Sequence, residues 1–186
     1  MSEYKTIHGV KVRSYTTDPD NLITGQVWYD KTNKVLQFQA QGAAAWSSGS
    51  NLNTARYAYS GAGVSSDSGL ATGGTNSVPS PPGQMDNTEL YNGSTWTEVA
   101  DLNTARWAGA GTGTQTASLN FGGGAGPPDL KAITESWNGT SWSEVADLNT
   151  ARQNVAGCGI TTASLCFGGA LAQSSALHER FNGTCW

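Results

Sequence analysis

Apolar and polar positions alternate in short runs along this chain. At residues 117–121 the run Ala-Ser-Leu-Asn-Phe puts Leu119 and Phe121 on one face of an extended strand, and Leu165 and Phe167 repeat that pattern. A Gly/Ala-rich run at 108–114 precedes it, made of side chains small enough for a crowded position. After it, a third strand ends at Asn-Gly, the strongest short hairpin signal, which predicts a type I′ turn with φ > 0 at both central residues. A fourth strand carries Trp and leads into EVADLNTAR at 98–106, which returns letter for letter at 144–152. The chain therefore reads as repeated units of four short strands.

The spacings sharpen the unit. Trp precedes Arg by ten residues three times, in Trp46/Arg56, Trp96/Arg106 and Trp142/Arg152. A double glycine follows 16 or 17 residues after each Arg, at Gly73 and Gly74, Gly122 and Gly123, and Gly168 and Gly169. Then comes Glu89, Glu135 or Glu179, each with a Trp seven residues later: Trp96, Trp142 and Trp186. Nearly all the length variation falls between the first Gly and the Glu, at 16, 13 and 11 residues. Four strands per unit of roughly 40–50 residues is the period of a β-propeller blade.

Double Gly, an aromatic, Trp about five residues on and Arg ten beyond it resemble the kelch repeat over residues 46–186. The resemblance implies that the double glycines end the second strand of each blade. It also implies that Tyr91, Trp137 and Phe181 pack on the third strand, and Trp96, Trp142 and Trp186 on the fourth, between blades. Two departures are the short Asn-Gly turn and the first unit's weak second strand, which lacks the Phe. The expected architecture is all-β: an N-terminal β-hairpin anchor over 1–44, then kelch-like four-stranded propeller blades over 45–186, in units of about 56–103, 104–149 and 150–186. Three units are too few for a ring of four to eight blades. A longer chain is expected, with several copies closing the ring as the rival, and Trp46 would belong to a lone fourth strand completing the last blade.

The first 44 residues lack the repeat. Residues 11–17 alternate like a strand, and Asp18-Pro-Asp-Asn is turn chemistry. Residues 26–30 and 35–39 flank Lys-Thr-Asn-Lys as a hairpin, which needs a partner surface because a lone hairpin is marginal in water. TGQVWYDKTNKVLQFQ at 24–39 resembles N-terminal segments of tailed-bacteriophage virion proteins, especially fibres and appendages. That resemblance implies attachment to other virion structural proteins through residues 1–44, with the remainder projecting outward.

Composition narrows the chemistry. Gly is abundant at 24 of 186 residues and charged residues make up only 13%. Residues 1–44 carry five basic and four acidic residues (+1), and the rest five basic and ten acidic (−5), so no basic patch invites nucleic acid. The opening residues lack the plan of a signal peptide, and no apolar run approaches the roughly 20 residues of a membrane span. Cys158, Cys166 and Cys185 lack metal-ligand spacing and read as small hydrophobes.

No catalytic, metal or cofactor site is expected. His8 and His178 are isolated, and Asp18 and Asp20 suit a turn better than Ca²⁺. The triple glycine starting at Gly122 lacks the lysine of a phosphate loop. The repeated Arg56, Arg106 and Arg152 suit a structural role, bonding a neighbouring blade's backbone or Asp101 and Asp147. Glu89, Glu135 and Glu179 recur as a set, without the asymmetry of an acid/base pair. The loops that vary, 75–88, 125–134 and 170–178, all emerge on one face of such a blade array, which either tolerates length or binds a ligand. Candidate ligand-binding residues there are Asn76, Gln84, Asp86, Asn87, Asp129, Lys131, Gln173 and His178. The resulting expectation is a non-enzymatic, homo-oligomeric virion protein, made in a host cytoplasm, a tail fibre or appendage that binds a host-surface glycan or protein. The rivals are a capsid decoration protein and a propeller enzyme, either glycan-active or a copper oxidase.

Overall fold

The computed structural model describes residues 12–17, 19, 26–38, 48–76, 83–126, 128–171 and 173–186. Among these the regular elements are all β-strands, and the chain is all-β. Trp46, Asp18, Asp20 and His8 lie outside the described residues. The chain divides into two compact units, Met1–Ser48 and Gly49–Trp186.

In the first unit, β1 (Arg13–Tyr15) runs parallel to β2 (Val27–Asp30), which pairs antiparallel with β3 (Val35–Phe38). The expected hairpin thus gains a third strand. The Asp30 carboxylate shapes its turn by accepting hydrogen bonds from Thr32 N at 2.8 Å, Asn33 N at 3.1 Å and Asn33 Nδ2 at 2.6 Å. These bonds, those from Asn33 foremost, hold the Asp30 carboxyl below its usual range. Lys34 closes the turn in the left-handed region. Trp28 is buried, whereas Leu36 and Phe38 are 62% and 69% exposed.

The second unit holds three meandering antiparallel sheets. The first runs β4 (Ser60–Ser65), β5 (Ser68–Thr72), β6 (Thr88–Tyr91), β7 (Trp96–Glu98). The second begins with β8 (Ala110–Gly113) and β9 (Ser118–Phe121). After a small excursion, β10 (Gly124–Gly126) paired with β11 (Asp129–Leu130), it continues through β12 (Thr134–Trp137) and β13 (Trp142–Val145). The third is β14 (Ala156–Ile160), β15 (Ala163–Phe167), β16 (His178–Phe181). None of the described sheets closes on itself.

Period-two alternation decides how the sheets stack. One face of the first sheet offers Leu70, which clusters with Leu102 and with Trp137 and Trp142 of the second sheet. The second sheet in turn presents Leu119 and Phe121 to Val155 and Phe181 of the third, with Trp186 packed against them. Each buried aromatic contributes on the order of 1.5–3 kcal/mol. A polar stitch repeats at each contact: Trp142 Nε1 donates to Thr88 Oγ1 at 3.0 Å, and Trp186 Nε1 to Thr134 Oγ1 at 2.9 Å. The small residues of the first strands allow the close approach, since a Cβ on Gly111 would sit 2.6 Å from the Gly61 carbonyl oxygen.

The double glycines are joints between sheets. Gly74 N donates to the Arg106 carbonyl and Gly123 N to the Arg152 carbonyl, both at 2.9 Å. Gly73 has φ 66°, and a Cβ there would lie 2.6 Å from the Arg106 oxygen, so a side chain is refused on both counts. A second tie is unusual because it uses left-handed residues other than glycine. Ala58, Ala108 and Asn154 have φ 52°, 57° and 54°. Ala108 N donates to the Ala58 carbonyl and Asn154 N to the Ala108 carbonyl, each at 2.7 Å. Left-handed backbone costs roughly 1–2 kcal/mol per alanine, a strain sustained where it links one sheet to the next.

One turn differs from expectation. The Asn-Gly segments are not type I′, because the Gly has positive φ but the Asn does not. Tyr91 pairs with Trp96 across a four-residue loop. Asn92 Oδ1 caps it by accepting from Ser94 N at 3.0 Å and Thr95 N at 2.9 Å. Asn138 and Asn182 do the same.

Candidate functional site

The arginine and the glutamate that recur in every unit are drawn together by the fold into three copies of one clamp. The segment Asn-Thr-Ala-Arg enters each sheet along its edge and closes around the Glu of that sheet's third strand. Glu135 Oε2 accepts from Asn103 N at 2.8 Å and Asn103 Nδ2 at 2.7 Å. Its Oε1 accepts from Arg106 Nη1 at 2.6 Å and Thr104 N at 3.3 Å. Asn53, Thr54 and Arg56 treat Glu89 in the same way, with the ion pair at 2.7 Å. Asn149 and Arg152 hold Glu179.

Both partners of the central clamp are shut away from water, with side-chain exposures of 1% for Arg106 and 0% for Glu135. Burial pulls the Arg106 guanidinium below its ordinary value, and the adjacent Glu135 charge opposes that. For Glu179, burial pushes the carboxyl up, but the bonds from Asn149 and Arg152 outweigh it and leave the group below its ordinary range. Of the two expected arginine partners, the neighbouring sheet's backbone is met through the main chain, where the Arg106 carbonyl accepts from Gly74 N, whereas the expected bonds to Asp101 and Asp147 are corrected here. Besides its glutamate, Arg106 donates to Asn120 Oδ1 and the Asn120 carbonyl of its own sheet. Asp101 and Asp147 instead accept from Thr88 N and Thr134 N, at 3.2 Å and 3.1 Å. Burial raises Asp101 above the usual carboxylate range, with the Thr88 bond acting against it.

The candidate loop residues do not form one cluster. Asn87 is committed to structure: its carbonyl accepts from Gly73 N and Arg56 Nη1, and its Nδ2 donates to Glu98 at 2.6 Å. Gln84 bridges to Thr75, and the Asp86 carbonyl receives Leu102 N. Asp129 and Lys131 pair with each other at 2.6 Å, half-exposed beside the β10/β11 excursion. Asn76 lies next to the Thr75 bridge, and the Gln173 carbonyl accepts from Leu171 N. His178 is not a loop residue at all. It opens β16, opposite Phe167.

Sequence reasoning missed Gln115. From the β8/β9 hairpin it donates to the Tyr91 carbonyl of the first sheet, and its own carbonyl accepts from Trp137 Nε1 at 3.0 Å. Nothing in its single occurrence marks it, because the repeat signal finds only what recurs. Among the described residues no group of three or more His, Cys, Asp or Glu could hold a metal ion, and no helix is long and apolar enough to cross a membrane. No protein-family model and no curated protein matches this chain.

Proposed function

We propose that the chain is a non-enzymatic component of a bacteriophage virion, a tail fibre or similar appendage. In this reading the three sheets of the second unit are blades of a kelch-like β-propeller, and the first unit attaches to the particle. The observation that carries it is the division of labour among polar groups. The arginine and third-strand glutamate of every unit are enclosed in the three clamps, whereas the connections between second and third strands differ in length and composition from unit to unit. A scaffold held constant beneath variable loops is the arrangement of a display protein. The half-exposed Asp129/Lys131 pair and the polar Asn, Gln and Ser of these loops suit a hydroxyl-rich ligand such as a host-surface glycan. For attachment, Leu36 and Phe38 give the first unit an exposed apolar patch of the kind that marks a protein contact.

The test is a glycan array probed with the full chain and with a variant whose 125–134 loop is replaced by residues 170–178. Binding by the full chain that is lost or redirected in the variant supports display. Binding that is unchanged removes the loops from the account, and a chain absent from purified particles overturns the virion assignment.

A further inference from the structure

The two internal sheet contacts are built alike, and both halves of a third such contact are left open at the ends of the stack. In each internal contact, one sheet offers a face carrying a second-strand Leu and a third-strand Thr, joined by Thr72 in the first sheet and by Phe121 in the second. The next sheet covers it with an aromatic pair and a first-strand glycine. Leu119, Phe121 and Thr134 of the second sheet are covered in this way and are at most 2% exposed. Their counterparts in the third sheet are Leu165, Phe167 and His178, and Phe167 is 42% exposed. At the other end the first sheet carries its own aromatic pair, Tyr91 and Trp96, with ring centroids 5.0 Å apart. It matches Trp137/Trp142 at 5.3 Å and Phe181/Trp186 at 5.2 Å, both of which lie between sheets.

Backbone groups are left over in the same register. Gly74 N and Gly123 N each donate to an arginine carbonyl of the following sheet. Gly169 N has no such partner among the described residues, and neither does the Arg56 carbonyl that would be the matching acceptor. Likewise Asn154 and Ala58 end the left-handed chain of bonds with a carbonyl and an N–H unused among the described residues. Gly61 is the most telling position. Cβ atoms on its counterparts would strike the neighbouring sheet, at 2.6 Å from the Gly61 oxygen for Gly111 and 2.5 Å from the Phe121 ring for Gly157. A Cβ on Gly61 itself meets only the Leu70 oxygen at 3.6 Å, so nothing within one chain requires glycine there.

We infer that the open face of the third sheet receives the first sheet of a second copy of this chain. Tyr91 and Trp96 of that copy lie over Leu165 and Phe167, and its Gly61 meets the Phe167 ring. Trp96 Nε1 then donates to His178, which stands where Thr88 and Thr134 accept from Trp142 and Trp186. The inference rests on the propeller reading above for the number of copies. Rings close with four to eight blades, and six is the only multiple of three in that range. Two chains, head to tail, complete the ring with two equivalent contacts.

The test measures the native mass of the full chain by light scattering and compares two variants, Gly61→Leu and Phe167→Asp. A Cβ on Gly61 comes no nearer than 3.6 Å to its own chain, and Phe167 is already 42% exposed, so near-ultraviolet circular dichroism should stay unchanged in both. Expected is a species of twice 19.4 kDa that falls to a single chain in either variant. A single-chain or three-chain mass for the unaltered protein overturns the inference, as does a two-chain species indifferent to Gly61→Leu. Electron-microscopy averages separate the two levels. A two-chain particle sensitive to both variants but lacking a central opening supports the pairing of faces and overturns the propeller reading.

Discussion

Replacing Glu135 with Gln keeps the shape of the central clamp and removes only its charge. Four donors converge on that carboxylate: Arg106 Nη1, Asn103 N, Asn103 Nδ2 and Thr104 N, at 2.6–3.3 Å. An amide nitrogen in place of one oxygen turns acceptance into donor-against-donor opposition. It also leaves the Arg106 guanidinium, 1% exposed, without its anion. Breaking a buried, hydrogen-bonded ion pair by removing one partner costs about 3–5 kcal/mol. That is a large fraction of the roughly 5–15 kcal/mol available to a domain. Urea unfolding followed by tryptophan fluorescence reads the loss as a lower midpoint at an unchanged slope. Asp67→Asn in the exposed β4/β5 turn, remote from any clamp, is the control and should shift stability by less than about 0.5 kcal/mol. A Glu135→Gln loss no larger than that of the control would refute the clamp as the element holding each sheet to its incoming segment.

Glu179, whose carboxyl is depressed in the folded chain, should contribute stability above its ordinary value near 4.5 that is lost as pH falls through the depressed value. Glu179→Gln should therefore be less stable than the parent at neutral pH and converge with it in acid, as read by urea midpoints against pH. A constant gap at all pH values would rule out the linkage. Asp101, raised by burial, works in the opposite sense, so the Asp101→Asn variant should lose less at neutral pH than the Glu179→Gln variant. Thiol labelling offers an independent check, because Cys158 and Cys185 are exposed while Cys166 is buried with its thiol pushed up by that burial. Mass spectrometry should find two alkylations of the native protein and a third only on unfolding. Rapid labelling of all three would contradict the packing of Cys166 against Arg152.

Period-two alternation and the recurring Trp, Arg, Gly-Gly and Glu were enough to place most of the strands of the second unit, because those features are local. Partners across distance were not legible. Asp101 recurs as Asp147 and Glu135 as Glu89 and Glu179, and spacing alone does not say which of them Arg106 meets. The answer depends on a buried carboxylate that backbone N–H groups also reach. The Asn-Gly turn was misread because the dipeptide favours type I′ in two-residue loops. Here Tyr91 pairs with Trp96, so four residues must be spanned and the Asn side chain caps them instead. His178 falls at the end of the variable stretch that precedes the recurring Glu179, and only its register opposite Phe167 puts it in a strand. The β10/β11 excursion and the bonds of Gln115 occur once each, so no periodicity could point to them.

The clamp also has a genetic consequence. Because Asn-Thr-Ala-Arg fastens the sheet it enters rather than the one it leaves, every join between units has the same fitting on both sides. Residues 98–106 and 144–152 are identical, so an in-frame exchange between those two stretches removes or adds one whole sheet together with its own clasp. No new contact has to be invented at the junction. The number of sheets is thus a quantity that recombination can change in single steps, while each sheet's fastening travels intact.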